Sequence, residues 1–152
     1  VAMLKTKGVK AFVVGKETHM DYYQNLSKKL NIDNQIFFTG PRTDVNDFYT
    51  ISDIFLFPTH YDPFSNVVLE AMYFENAVFT TQSNGASEIL DPEFIMDIPY
   101  DKKVAASIDN LLSNIITLNE VKIRNKKISK QFPIEKNLKK TLEVINKIEK
   151  SF

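Results

Sequence analysis

Asp62 and Glu70 are separated by seven residues within the run HYDPFSNVVLEAM, residues 60–72. The first carboxylate stands in a polar stretch just after the apolar run IFLFP. The second lies on an apolar segment that opens with Ser65. If Ser65 caps a helix there, the backbone N–H groups near Asn66 and Val67 are free and carry the positive end of the helix dipole, a setting suited to phosphate or a sugar hydroxyl. Glu70, four residues after Asn66, projects along the same face. Ionised carboxylates accept hydrogen bonds only, and they take paired hydroxyls well. Acceptors on either side of a phosphate-sized gap are what a nucleotide joined to a sugar requires. Plainer readings exist for both residues: Asp62 as a turn residue before Pro63, and Glu70 as a surface residue that complements the helix dipole. Val67, Val68, Leu69, Ala71 and Met72 weigh against the second, because they predict a buried helix whose glutamate needs a polar partner.

The elements that would position these groups alternate along the chain. KAFVVG (10–15) and QIFFTG (35–40) are short apolar runs closed by glycine, and both read as buried parallel strands. Between them Met20, Tyr23, Leu26 and Leu30 recur at helical spacing. DVNDFYTIS (44–52) predicts a short helix and DIFLFPT (53–59) a third strand stopped at Pro58. SNVVLEAMYFE (65–75) predicts a helix, AVFTTQ (77–82) a fourth strand, GASEILD (85–91) a helical turn and FIMDI (94–98) a fifth strand. Helices follow over 102–116 and 118–132; Pro133 interrupts, and a last helix runs over 134–150. Alternation of this kind implies a parallel sheet with helices on both faces, in which ligands bind beyond the carboxyl ends of the strands. Residues 60–66 occupy that place.

At 152 residues the chain fits one domain, 1–152, with the helices of 118–152 packing upon it. Nineteen basic and nineteen acidic residues cancel, so no long-range field marks the chain for nucleic acid. It has no cysteine, which excludes disulfides and thiolate metal or redox sites and agrees with a reducing, cytoplasmic setting. There is no signal-peptide h-region, and no run approaches the roughly 18 apolar residues that a membrane span needs. A soluble chain is expected. The Lys-rich tail reads as a solvated helix face, with docking of that face on anionic lipid at the inner side of a membrane as the sharper alternative. His19 and His60 have no metal-ligand spacing, and neither G-x-G-x-x-G nor G-x-x-x-x-G-K-[ST] occurs. Tyr22, Tyr23, Phe37, Phe38, Phe55 and Phe57 are expected in the core or on strand faces.

The run FPTHYDPFSNVVLEAMYFENAVFTTQSNGASEIL, residues 57–90, resembles the signature of the family 4, or group 1, retaining glycosyltransferases in their nucleotide-sugar-binding C-terminal half. That signature places an acidic residue, seven others and then Glu inside a string like E-x-F-G-x-V-x-L-E-A-M-A-x-G-x-P-V. Asp62 and Glu70 satisfy its spacing. The likeness extends upstream through AFVVGK, IFFTG and DVNDFYTISDIFLFPT, and members include lipopolysaccharide-core glycosyltransferases. It implies the C-terminal half of a GT-B fold, a cytoplasmic hexosyltransferase whose donor is a nucleoside-diphosphate sugar, with UDP-hexose as the first choice, and whose acceptor is a glycan or glycolipid such as lipopolysaccharide core. By the same resemblance Glu70 would bind the ribose hydroxyls and Asp62 the hydroxyls of the transferred sugar. Pro63, Phe64, Ser65 and Asn66 would meet sugar and diphosphate, Val67 would lie under the nucleoside, and Arg42 would approach the base. No metal or other cofactor is implied.

The sequence departs from the family pattern in three places. Asp62 stands where Glu is commoner. Glu75 and Asn76 replace a small residue and Gly before the fourth strand, with Ala77 near the usual Pro. The family's first strand and its basic diphosphate-binding pair would precede Val1, and Lys5, Lys7 and Lys16 are too far along the chain to replace that pair. A piece of a larger protein is therefore expected, with an acceptor domain outside these residues, unpaired edges on the second and fourth family strands, and no transfer by the piece alone. The alternative is a non-catalytic Rossmann-like module that binds a nucleotide or a partner. Asn84, Gly85 and Glu88 also match a family segment that faces the cleft, although Asn-Gly is equally a turn dipeptide.

Overall fold

The computed structural model describes residues 1–149; residues 150–152, with the last residue of the final predicted helix, lie outside the described residues. Five strands alternate with helices: β1 (Ala11–Val14), α1 (Met20–Lys29), β2 (Ile36–Gly40), α2 (Val45–Ile51), β3 (Ile54–Phe57), α3 (Asn66–Tyr73), β4 (Ala77–Thr81), β5 (Ile95–Met96), α4 (Lys103–Ser113), α5 (Ile115–Ser129) and α6 (Ile134–Glu149). All strand pairs are parallel. β3 and β4 align with Ile54 opposite Ala77 and Phe57 opposite Thr80, and β4 continues into β5 through Thr80 and Thr81. All five residues of β4 are buried, as a central strand covered on both faces requires. Ala77 and Phe79 meet Phe94, Ile108, Leu111, Leu118 and Val121 on one face. On the other, Val78 joins Tyr49, Val68, Ala71 and Met72 from α2 and α3. β4 is the spine of the molecule.

The sheet is interrupted. Among the described residues β1 pairs only with β2, and no ladder joins β1 to β3. The unpaired edges expected on these two strands are present, and Phe12, Val13 and Leu56 remain exposed beside them. What spans the break is α2: Phe48 meets the Phe12 ring edge-on at 5.7 Å between centroids, while Tyr49 enters the β4 core.

Some boundaries differ from expectation for local reasons. The fifth strand shortens to Ile95–Met96 because Pro92–Phe94 form a 3-10 turn in front of it. The helices expected over 102–116 and 118–132 divide instead at Asn114. Its backbone is extended, and its Oδ1 accepts from the Thr117 N–H at 3.2 Å, starting α5 three residues early. α5 packs on the core through Leu118 and Val121. α6 corrects the expectation that helices throughout 118–152 pack on the domain: none of its residues is buried, and Ile134, Leu138, Leu142 and Ile145 face outward. Of the aromatics expected inside, Tyr22, Tyr23 and Phe37 are exposed, because α1 and β2 belong to the lesser sheet with little above them. Phe38, Phe55 and Phe57 are half-buried.

The turn after α3 explains Glu75 and Asn76. Glu75 adopts φ 61°, the left-handed conformation that glycine takes most easily. Its N–H donates to the Met72 carbonyl at 3.1 Å and the Asn76 N–H to the Ala71 carbonyl at 3.0 Å, the two bonds of a Schellman motif. Compensation comes from side chains. Lys126 Nζ donates to Glu75 Oε1 at 2.6 Å. The fully buried Asn76 amide donates to the carbonyls of Tyr49, Ala71 and Phe74 at 2.9, 3.1 and 3.3 Å. A non-glycine turn is thus stable here.

At the N-terminus, Asp109 on α4 accepts from the Lys5 and Thr6 N–H groups at 2.9 Å and from the Thr6 hydroxyl at 2.7 Å. Those bonds, led by the Lys5 N–H, hold its carboxyl below the ordinary value of 3.8. A depressed folded-state pKa gives stabilisation that is complete above the unfolded value and lost as pH falls through the folded one. Protection of the Lys5 and Thr6 amides against hydrogen exchange should therefore fall on acidification below 3.8, and Asp109→Asn should abolish it already at neutral pH. Unchanged protection in that variant would show that the segment is held by other contacts.

Candidate donor site at the carboxyl end of the sheet

The loop between β3 and α3 leaves the sheet at its carboxyl edge and is fixed by β4 and the residues after it. Thr80 Oγ1 donates to the Phe57 carbonyl at 2.9 Å, and Thr81 Oγ1 donates to that of Thr59 at 2.6 Å. Asp62 forms a one-residue parallel bridge with Asn84: its N–H donates to the Ser83 carbonyl at 3.2 Å and its carbonyl accepts from the Gly85 N–H at 2.9 Å. The Asp62 Oδ1 accepts from the Phe64 N–H at 3.1 Å, an Asx turn over Pro63. The turn reading of Asp62 therefore holds for its backbone and its Oδ1 alike, and the residue is half-buried.

Asn84 is fully buried and joins three segments. Its Nδ2 donates to Thr80 Oγ1 at 3.0 Å, and its Oδ1 accepts from the N–H groups of Ser65 at 3.3 Å and Ala86 at 3.0 Å. Ser65 stands at the N-cap position in extended conformation, but its hydroxyl makes no capping bond. The side-chain cap expected of Ser65 is thus corrected: Asn84 holds the start of α3 from outside the helix. Gly85 follows in close contact with the loop, where a Cβ would lie 1.9 Å from the Pro63 carbonyl oxygen. These are the residues that sequence reasoning undervalued. The Asn-Gly pair was a usable signal, yet a turn dipeptide does not disclose that its amide points inward.

α3 buries Val68, Ala71 and Met72 and leaves Val67 and Leu69 half-buried. Glu70 is exposed, contrary to the buried helix expected, because Tyr73 and Asn66 share its outward side and α3 packs along one stripe only. The polar partner expected for Glu70 does exist. The hydroxyl of Tyr49, on α2, donates to Glu70 Oε2 at 3.2 Å. Burial, then the Glu70 charge and this bond, push the Tyr49 hydroxyl up to about 12, so it stays a donor across neutral and mildly alkaline pH.

Asp62, Pro63, Phe64, Ser65, Asn66, Val67 and Glu70 thus form one continuous loop and helix start at the carboxyl edge. Pro63, Phe64 and Asn66 are exposed, and the Phe64 ring meets Phe132 at 6.2 Å. Arg42 follows β2 at the same edge, but its guanidinium is engaged locally: Nε and Nη2 donate to the two oxygens of Asp44 at 2.8 and 2.6 Å, beside the Phe48 ring. Glu88 is exposed on the turn after Gly85. His60 is exposed in the loop before Asp62, and among the described residues no group of three His, Asp or Glu is placed to hold a metal ion.

Residues 1–130 match the family described as "Glycosyl transferases group 1". The chain belongs to this family. Among curated relatives, the capsular polysaccharide biosynthesis glycosyltransferase CapM of Staphylococcus aureus is 33% identical over 75 residues, 47% of this chain and 20% of CapM. The lipopolysaccharide core biosynthesis glycosyltransferase LpsE of Rhizobium meliloti (strain 1021) is 26% identical over 116 residues, 74% of this chain and 34% of LpsE. The chain therefore spans about a third or less of these relatives. The fold of Anabaena Alr3699/HepE, solved in complex with UDP, superposes with a TM-score of 0.85 at 21% identity, over 96% of this chain and 43% of that one. A parallel α/β sheet with helices on both faces, the C-terminal half of a GT-B glycosyltransferase, is the fold of this group 1 domain.

Gly85→Ala should cost about 1–3 kcal/mol, because the methyl group meets backbone rather than a yielding side chain. Urea denaturation of this variant beside the exposed Ser83→Ala control checks it, and equal midpoints would mean that the loop gives way freely.

Proposed function

We propose that this chain is the donor-binding part of a retaining hexosyltransferase, which transfers a sugar from a nucleoside-diphosphate hexose, with UDP-hexose first, to a hydroxyl of a glycan or glycolipid such as lipopolysaccharide core. The observation that carries the reading is the joining of Asp62 and Glu70 in one loop and helix start at the carboxyl edge of parallel strands, in a chain of the group 1 family. The UDP complex of a protein with the same fold supports the choice of base, and LpsE supports the choice of acceptor class.

In this reading Glu70 accepts hydrogen bonds from the ribose diol and Asp62 from hydroxyls of the transferred hexose. The first N–H groups of α3, at Asn66 and Val67, have no intrahelical acceptor and face the diphosphate, with Pro63, Phe64 and Ser65 shaping the approach. Val67 lies under the nucleoside. Arg42 reaches the base only by exchanging its Asp44 partner. Catalysis then consists of stabilising the departing diphosphate and holding the acceptor in place, without a cofactor. The gap between β1 and β3 is read as the place of a further strand of the same domain, and the acceptor as bound by a domain outside these residues. The protein works in the cytoplasm, where such donors are available, beside the membrane when its acceptor is a lipid. No described helix is long and apolar enough to cross a membrane.

Calorimetry of UDP, GDP, ADP, UDP-glucose and NAD against the chain and its Glu70→Gln variant tests the reading. UDP and UDP-glucose should bind selectively, and Glu70→Gln should weaken both by about 1.5–3 kcal/mol, the range for hydrogen bonds to a charged group. Binding that is indifferent to Glu70→Gln would move the site elsewhere. If no nucleotide binds, repeating the panel on a longer chain that supplies the further strand separates an incomplete site from a non-catalytic module.

A further inference from the structure

Glu70 is an exposed side chain with three rotatable bonds, and an unrestrained glutamate loses much of that freedom when it binds a ligand. One group restrains it. Two rings hold the Tyr49 ring, which stacks on Phe74 at 5.8 Å and 22° and meets Phe55 edge-on at 5.6 Å, and the Tyr49 backbone carbonyl is tied to the Asn76 amide at 2.9 Å. The residue is 7% exposed, so the ring has no alternative rotamer available within the packed core. Among the described residues its hydroxyl has one partner, Glu70 Oε2 at 3.2 Å.

We propose that Tyr49 is a positioning residue for the donor site: it fixes the Glu70 carboxylate with Oε2 on the α2 side, leaving Oε1 presented outward to accept from the vicinal hydroxyls of a ribose. This rests on the assignment of Glu70 to the ribose under the proposed function. The consequence is chemical discrimination. A fixed carboxylate rewards a ribonucleotide over the same nucleotide lacking both hydroxyls, whereas a mobile one offsets the gain with the entropy of ordering it. Tyr49 touches no part of the donor in this arrangement and acts only through Glu70. Its hydroxyl remains protonated, pushed up to about 12, so the effect persists across neutral and mildly alkaline pH.

The test compares UDP with 2′,3′-dideoxy-UDP by calorimetry on the full chain, in the parent, Tyr49→Phe, Glu70→Gln and the double variant. Tyr49→Phe should weaken UDP about three- to tenfold, the range for immobilising one side chain, and leave dideoxy-UDP unchanged. The double variant should bind UDP no more weakly than Glu70→Gln alone, since Tyr49 has nothing else to act through. Urea midpoints of all four chains verify that each is folded, and Glu70→Gln, at an exposed position, supplies the comparison should Tyr49→Phe lower stability. Equal weakening of UDP and dideoxy-UDP by Tyr49→Phe, or full additivity in the double variant, would overturn the inference and reduce Tyr49 to a core residue. If Glu70→Gln itself leaves the UDP to dideoxy-UDP ratio unchanged, the ribose assignment falls, and the positioning role with it.

Discussion

The side-chain amide of Asn84 is the junction on which the site depends. It lies fully buried at the end of β4 and binds in both directions, donating to Thr80 on the strand and accepting from the backbone of Ser65 and Ala86. An amide can do this because it carries donors and an acceptor on one rigid plane. A buried polar group of this kind is costly when unpaired and well defined when paired. The result is that the start of α3, the loop carrying Asp62 and the turn carrying Gly85 share one reference point. Thr80 and Thr81 extend the same anchoring to Phe57 and Thr59, so the whole β3–α3 loop is tied to the one strand that is buried along its full length.

A second buried asparagine fixes the other end of α3. Asn76 gathers three carbonyls with its side chain, and its own carbonyl accepts from Asn125 on α5 at 2.8 Å. α3 is thereby clamped at both ends by amides from outside it, and needs neither a serine cap nor a glycine terminator. This explains how Glu75 is tolerated at a positive φ: the turn is fixed by Asn76 and Lys126 around it, and the strain at one residue is offset by bonds that a glycine could not make. A helix eight residues long has little stability of its own, so its direction, and that of Glu70 upon it, comes from these clamps and from the stripe of Val68, Ala71 and Met72.

The strands and α3 were legible because each is a short run of one physical character bounded by Gly, Pro or a polar turn. The buried face of α3 was less so: an apolar sequence on all sides suggests burial all round, but Glu70 and Tyr73 face outward because neighbours cover only one stripe. The partner of Glu70 was not legible, since Tyr49 is 21 residues away in sequence and one helix away in space. Nor was the role of Asn84, whose Asn-Gly sequence is shared by countless exposed turns. The local ion pair of Arg42 was not legible either: its guanidinium is held by Asp44, two residues on. Local patterns report what a residue prefers, and only the packing reports which preference is met.

The interrupted sheet makes α2 carry more than its seven residues suggest. A two-stranded parallel pair such as β1–β2 has little independent stability, and no ladder links it to β3. Adjacent helical residues point about 100° apart, so Phe48 and Tyr49 address different neighbours. Phe48 rests on Phe12 of the lesser sheet and carries the Arg42 guanidinium; Tyr49 enters the β4 core and holds Glu70. One short helix therefore touches both the β1–β2 unit and the carboxylate at the other unit's edge.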